Sequence, residues 1–290
     1  MKVLLTGAEG QLGCDLADAF AGADLIAMAR SDLDVADEAA VADAVGRIRP
    51  HLVVNAAAWT DVDGCESDPE RAHRVNALGP WWLARACHEV GASLVTYSTD
   101  YVFDGNAPRT PQGQRCAWSE FDPVSPINEY GRSKAAGEQL VRESLRQHFV
   151  IRTAWVCGAR GSNFVRAMLR IAEERGEASV VDDQHGSPTF TRDLASATGE
   201  LVETRRYGTY HLTNSGWCSW YDLAAATFEF AGLDVALTRM SSSELQRPAP
   251  RPSWSVLSAQ HSTSSGLSPL RPWQDGLRSL LNELGYGTTR

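Results

Sequence analysis

The chain has 290 residues, of which 43% are apolar and 22% charged, and its formal net charge is -9. A chain of this length buries a core without staples, and the composition excludes disorder over most of it. The acidic balance gives no general attraction for nucleic acid or anionic lipid, so neither is expected as a partner, and any anionic ligand needs a local site.

In chain order, apolar runs fall at 3–6, 25–29, 52–55, 94–98 and 150–153, and helical patterns at 38–48, 69–90 and 133–146. Strands alternating with helices predict βαβ units, and uniformly apolar runs predict strands covered on both faces. The expected fold class is α/β, a Rossmann-type doubly wound parallel sheet with a smaller C-terminal α/β substrate-binding domain. Pro80, after Gly79, is expected to bend the third helix because it cannot donate a backbone hydrogen bond. A helix follows from Gly161 to about residue 175, then a strand at 179–181 and a loop at 182–189. Residues 208–212 read as a strand, 219–231 as a helix and 273–284 as a last amphipathic helix. The Ser- and Pro-rich stretch 241–268 reads as loop anchored by Trp254, Val256 and Leu257, with a disordered linker as the alternative. The expected division is 1–154, with a return segment at about 190–215, as the NAD(P)-binding domain; 155–189 and 216–290 form the substrate-binding domain.

The first strand runs into Gly7-Ala8-Glu9-Gly10-Gln11-Leu12-Gly13. Gly7 permits a tight turn, Gly10 lets the backbone approach a pyrophosphate, and Gly13 lets the next helix sit close to the strand. Amides of that helix start, at Gln11 and Leu12, then face the phosphates. A bare glycine turn is the alternative, but the position between strand and helix is the context a dinucleotide needs. Arg30, after the second strand, stands where an acidic residue would select NAD, and suits a 2′-phosphate; the expected cofactor is NADPH, with NADH the alternative. A solvated surface Arg is the other reading of Arg30. Asp34 can accept from the adenine amine. Ala56, Ala57 and Ala58, after the third strand, leave room for a cofactor across the strand ends, and Thr60 follows them.

The fourth strand ends in Ser98-Thr99, and Tyr130 and Lys134 lie four apart on one helical face. A nearby ammonium favours phenolate, so a tuned Tyr130 can give a proton to a carbonyl oxygen that has received a hydride, while Thr99 hydrogen-bonds the same oxygen. A half-buried Tyr beside an exposed Lys is the bland alternative. The glycine loop, Asn55-Ala56-Ala57-Ala58, Ser98-Thr99 and Tyr130-x-x-x-Lys134, each at the edge of its own βα unit, together point to a nicotinamide-dependent oxidoreductase.

Longer pieces carry a family resemblance. They are Asn55-Ala56-Ala57-Ala58-Trp59-Thr60-Asp61-Val62-Asp63, Ser98-Thr99-Asp100-Tyr101-Val102-Phe103-Asp104-Gly105, Asp183-Gln184-His185-Gly186-Ser187-Pro188-Thr189 and Arg251-Pro252-Ser253-Trp254. They resemble the extended short-chain dehydrogenase/reductases, and more narrowly the dTDP-4-dehydrorhamnose reductase family, over nearly the whole chain. The resemblance implies a dTDP-linked 4-keto sugar as substrate, reduced to dTDP-L-rhamnose or a related sugar of an antibiotic or deoxysugar pathway. It implies Thr99, Tyr130 and Lys134 as catalytic and Tyr101, Trp155 and Asn163 as lining the sugar-nucleotide site. Arg251 is the candidate partner for the diphosphate. Trp155 has a core aromatic as its alternative reading, and Trp217 and Trp220 read as core. A non-catalytic NADP-binding regulatory subunit is the remaining alternative.

Family members often bridge a homodimer with Mg2+ near the C-terminus. Glu283 is the counterpart here, but the tail 285–290 differs and no metal is assigned. Six Cys without a CxxC pair, and no signal segment, read as reduced thiols in a cytoplasmic protein.

Overall fold

The five apolar runs of the first half and the later one at 208–212 pair as one sheet. The computed structural model describes residues 1–286; the part of the tail beyond Tyr286 lies outside the described residues. In chain order the strands are β1 (Lys2–Thr6), β2 (Asp24–Met28), β3 (Leu52–Asn55), β4 (Ser93–Thr99), β5 (His148–Thr153), β6 (Val156–Cys157), β7 (Glu177–Val181), β8 (His185–Gly186), β9 (Thr189–Phe190), β10 (Gly208–His211), β11 (Cys218–Ser219) and β12 (Ala236–Met240). The helices are α1 (Gln11–Ala19), α2 (Glu38–Ile48), α3 (Val62–Ser67), α4 (Pro69–His73), α5 (Gly79–Val90), α6 (Glu129–Ser144), α7 (Phe164–Arg175), α8 (Thr191–Thr204), α9 (Trp220–Ala231), α10 (Gln260–Ser264) and α11 (Trp273–Glu283).

The main sheet has the order β10-β5-β4-β3-β1-β2, and every neighbouring pair is parallel. Successive strand residues feed opposite faces. Leu5 and Val54 join Leu16 and Leu194 on the α1/α8 side, while Leu4 and Val53 join Val41 and Leu83 on the α2/α5 side. Both faces are dry, which is why these strands are apolar throughout rather than alternating. The chain turns to either side of β1, so the crevice between the carboxyl ends of β1 and β3 is the switch point where such sheets bind ligands.

A second apolar cluster gathers Val165 and Leu169 of α7, Leu223 of α9, and Trp273 and Leu277 of α11. Beside it β7 and β12 pair in parallel. β12 was not expected from the sequence: its residues are exposed or half-buried, so no apolar run marks them.

The irregularity in the stretch 69–90 comes earlier than Pro80. It runs as continuous helical backbone through α4, a π-helical turn at Arg74–Leu78, and α5, in which Pro80 is the second residue. The stretch 241–268 is an ordered strap, not a linker. Trp254, Val256 and Leu257 are buried, and Trp118 Nε1 donates to the Trp254 carbonyl at 3.1 Å. Among the described residues no helix is long and apolar enough to cross a membrane.

Candidate active site

The cofactor end is built by backbone. Gly7 has φ +70°, and a Cβ there would lie 2.7 Å from the Ala57 nitrogen, so the glycine turn and the Ala56-Ala57 segment close on each other across the switch point. Asn55 secures that contact: its Oδ1 accepts from Thr6 Oγ1 at 2.8 Å and from Ala57 N at 3.2 Å. α1 begins at Gln11 with Gly10 as N-cap and no side chain capping it. Its first amides are therefore free for an anion, as a pyrophosphate-binding helix requires. Leu12 is half-buried beside it, and Ala58 and Thr60 are exposed at the rim. Arg30 is exposed and paired with Asp34 at 3.3 Å.

Gln11 also reaches across the molecule. Its Nε2 donates to the Val156 carbonyl at 2.9 Å, and its Oε1 accepts from Asn163 Nδ2 at 2.7 Å. Asn163 in turn caps α7, its Oδ1 accepting from Arg166 N at 3.1 Å. The structure thus places Asn163 between the glycine loop and α7, with its amide committed to both.

The catalytic end is where α6 meets the end of β4. Asn128 caps α6, accepting from Gly131 N at 2.7 Å. Tyr130 and Lys134 follow on the buried face, 9% and 5% exposed. Thr99 Oγ1 lies 3.0 Å from Asp100 Oδ1 and accepts from Tyr101 N at 3.2 Å, and its hydroxyl also meets the Tyr130 phenol. Tyr101 and Tyr130 pack edge to face with ring centroids 6.0 Å apart. The structure therefore brings Thr99, Tyr101 and Tyr130 together, and Lys134 is buried one turn further along α6.

The electrostatics differ from expectation in one respect. Burial pushes the Tyr130 phenol up, and the Thr99 hydroxyl only partly opposes it. The neighbouring Asp100, Cys65 and Tyr101 push the same way as burial. Lys134 is itself depressed to about 8 by burial, against the field of Glu138, and its ammonium makes no hydrogen bond among the described residues. Asp100 is pushed up to about 7 by burial, against the nearby Ser255 and Thr99 hydroxyls.

Behind the pair, Glu138 accepts from Arg152 Nε at 2.8 Å, from Arg142 at 2.9 Å and from Ser98 Oγ at 2.5 Å. Burial raises that carboxyl, but the Arg152 bonds and charge hold it below the usual range. This network fixes α6 to β4 and β5.

Tyr101 is also the inner wall of a groove of about 680 Å3, whose lining includes Phe164, Met168, Trp220, Arg247 and Arg251. Arg251 is held by Asp63 through Nη1 and Nη2, and Arg247 reaches the same carboxylate at 3.3 Å. Trp155 has φ +48° and lies flat on Trp220, with centroids 3.5 Å apart. Gly186 makes room for it, since a Cβ there would sit 2.5 Å from the indole. Trp217, expected in the core, is instead 52% exposed, edge-on to Trp254.

Sequence reasoning missed Arg247, the tie of Asp63 to Arg251, and the part Asp100 and Glu138 play around the catalytic residues. Asp63 and Asp100 lay inside quoted motifs, but no spacing rule joins Asp63 to residues more than 180 positions away. Glu283 accepts from Arg192 at 3.1 Å.

The model of the RmlD substrate binding domain family matches residues 1–286. A dTDP-4-dehydrorhamnose reductase of Streptomyces griseus is 44% identical, over 94% of this chain and 91% of that protein. A dTDP-4-keto-6-deoxy-D-glucose reductase of Streptomyces niveus is 40% identical, over 94% of each. Among solved structures, the Bacillus anthracis dTDP-4-dehydrorhamnose reductase in complex with NADP superimposes with a TM-score of 0.92 at 39% identity, covering 98% of this chain and 100% of that one.

Proposed function

Since the chain belongs to the RmlD substrate binding domain family and is an NAD(P)-dependent oxidoreductase, we propose that it reduces the C4 carbonyl of dTDP-4-dehydro-L-rhamnose to give dTDP-L-rhamnose, with NADPH as reductant. The observation that carries this reading is the meeting of Thr99 with the Tyr130 phenol beside Tyr101, whose ring lines a groove that also presents Arg247 and Arg251, with Lys134 one turn along the same buried helical face.

The residues fit a dinucleotide. The uncapped start of α1 suits a pyrophosphate, and Gly7 against Ala57 leaves no side chain at the switch point. Arg30, with the NADP of the Bacillus anthracis relative, supports the phosphorylated form. Bound NADPH supplies the hydride.

Tyr130 carries the proton that the C4 oxygen needs, through its phenolic O–H. Thr99 Oγ1 holds that oxygen from a second side. Lys134, with an ammonium free of protein partners among the described residues, is placed to hold the cofactor's ribose and to favour the phenolate as the proton leaves. Arg251 and Arg247 face the diphosphate, where a planar guanidinium can take two oxygens at once. Burial around Tyr101 and Tyr130 excludes water from the proton-transfer path.

The direct test incubates the pure protein with NADPH and dTDP-4-dehydro-L-rhamnose. NADPH oxidation with one dTDP-L-rhamnose formed per cofactor is expected, and its absence would sink the reading. The Streptomyces niveus relative favours a second reading, another dTDP-4-keto sugar. A panel of such sugars, each assayed with NADPH and NADH, separates the two.

A further inference from the structure

A threonine hydroxyl has one hydrogen to give and two lone pairs to fill. Thr99 Oγ1 already accepts from Tyr101 N at 3.2 Å and stands 3.0 Å from Asp100 Oδ1. If Asp100 is a carboxylate, it takes the only hydrogen Thr99 has, and none is left for a substrate oxygen. If Asp100 is the neutral acid, its Oδ1–H fills the second lone pair, and the Thr99 hydrogen is free.

The surroundings of Asp100 favour the neutral acid. The residue is 2% exposed, and its second oxygen, Oδ2, is buried with no hydrogen-bond partner. An orphaned oxygen of a charged carboxylate is far more expensive than that of a neutral carbonyl. No cation pairs with Asp100 among the described residues.

We propose that Asp100 works as a buried neutral acid that donates to Thr99 Oγ1 and so turns the Thr99 hydroxyl hydrogen toward the substrate carbonyl oxygen. Asp100 is then a positioning residue: it touches no substrate and acts through Thr99. When Tyr130 turns its own hydrogen to the substrate, Tyr101 N–H and Asp100 O–H fill both lone pairs of Thr99, and every donor at this junction has an acceptor. Ionisation of Asp100 reverses the Thr99 bond and removes one of the two hydrogens that the carbonyl oxygen receives.

The groups facing Asp100 do not compete for this role. Tyr101, on the same turn, and Tyr130, on α6, are phenols held neutral by burial. The Cys65 thiol of α3, beside Tyr130, is pushed up to about 11 by burial. Ser255 of the strap offers a hydroxyl and leads on to the His185 carbonyl. Lys134 is one turn along α6 from Tyr130, and Arg251, Arg247 and Asp63 act on Tyr101. Burial itself pushes Asp100 up to about 7, so the neutral acid dominates below that pH and is lost above it.

The inference rests on the carbonyl-reductase reading, but its first test needs no substrate. Difference infrared spectra of the free protein, titrated across neutrality, should show the carbonyl stretch of a protonated carboxylic acid that disappears with a midpoint near about 7, and this band should be missing in Asp100→Asn. In turnover, the side-chain amide introduced by Asp100→Asn can donate to Thr99 as the acid does. This variant should therefore keep kcat within about threefold of the wild type at about pH 6, and exceed it at about pH 8, where the wild type falls.

Absence of the band, or an Asp100→Asn loss of about tenfold or more at about pH 6, overturns the proposal. If Asp100→Asn does not fold, Thr99→Val takes its place: removing the acceptor must shift the band, and an unmoved band refutes the Asp100–Thr99 bond. A protein that shows the band and reduces no dTDP-4-keto sugar overturns the functional reading alone.

Discussion

Asp63 holds Arg251 with both carboxylate oxygens, Nη1 lying 3.1 Å from Oδ1 and Nη2 2.9 Å from Oδ2. The guanidinium of the groove is thus already engaged by a planar anion, and on the proposed reading a diphosphate would have to share it or displace Asp63. Burial raises the Asp63 carboxyl, but the Arg251, Ala249 and Arg247 bonds together hold it below the ordinary value. The tie therefore persists above the ordinary carboxylate pKa and loosens only as pH falls through the depressed one.

Arg251→Ala should raise KM for the sugar nucleotide by about 10- to 100-fold and leave kcat within a few-fold, because charge-assisted bonds to the diphosphate are made in ground and transition states alike. Arg247→Ala should cost less, since its side chain is about half exposed. Steady-state kinetics at saturating NADPH decides; an unchanged KM in Arg251→Ala would remove this residue from the binding site.

Tyr130→Phe should lower kcat by about 10²- to 10⁴-fold, the usual range for losing a general acid. The ring still packs against Tyr101, so NADPH affinity by fluorescence titration should stay within about threefold. A kcat within a few-fold of wild type would assign the proton donor elsewhere.

Lys134 offers a prediction of opposite sign for stability and activity. Its folded value of about 8 lies below the ordinary 10.5. The buried ammonium therefore destabilises the fold fully below about 8, and that penalty fades as pH rises towards 10.5, where both folded and unfolded chains are neutral. Lys134→Met keeps the aliphatic stem and deletes the charge, so it should raise Tm at neutral pH while abolishing activity. The gain in Tm should shrink in alkaline buffer. Calorimetry at the two pH values checks both halves, and a lower Tm at neutral pH would show that the cation is paired.

Gln11 and Asn163 should behave as one unit. Asn163→Ala loses a helix cap worth about 0.5–2 kcal/mol, and it also frees the Gln11 side chain at the start of α1. Both single alanine variants should weaken NADPH binding several-fold, and urea unfolding of the double-mutant cycle should give a coupling of about 0.5–3 kcal/mol. Additive effects would mean that the 2.7 Å contact transmits nothing.

Much of this was legible before the fold was known. Runs such as 52–55 mark buried parallel strands because both faces of the sheet are covered, and the helix at 38–48 matches α2 residue for residue. Thr99, Tyr130 and Lys134 were legible because each stands at the edge of a βα unit, where local pattern determines placement. The groove was not. β12 has no apolar run, since its residues are exposed or half-buried. Arg247 lies in a Ser- and Pro-rich strap whose course is set by Trp118 and Trp254 docking from distant parts of the chain. Trp217 was misread because an indole's size says nothing about which way the backbone turns it. The buried state of Asp100 follows from Ser255 and Tyr101 packing around it, a relation between segments that no single window contains.

β5 and β10 lie side by side, yet more than fifty residues separate them, and that excursion carries α7, β7 and the Trp155 loop out to the groove before α8 returns to the sheet. One wall of the groove, from Phe164 to Gln184, is therefore a cassette hung between two neighbouring strands, and it faces a second wall supplied by residues 240–251. Apart from Val156 and Asn163, which Gln11 ties to the glycine turn, its side chains can be exchanged with little consequence for the registers that hold Thr99 and Tyr130 in place. A lineage could thus trade one sugar for another by rewriting the cassette while leaving the reduction itself intact, and grafts between relatives should be cut at the ends of β5 and α8.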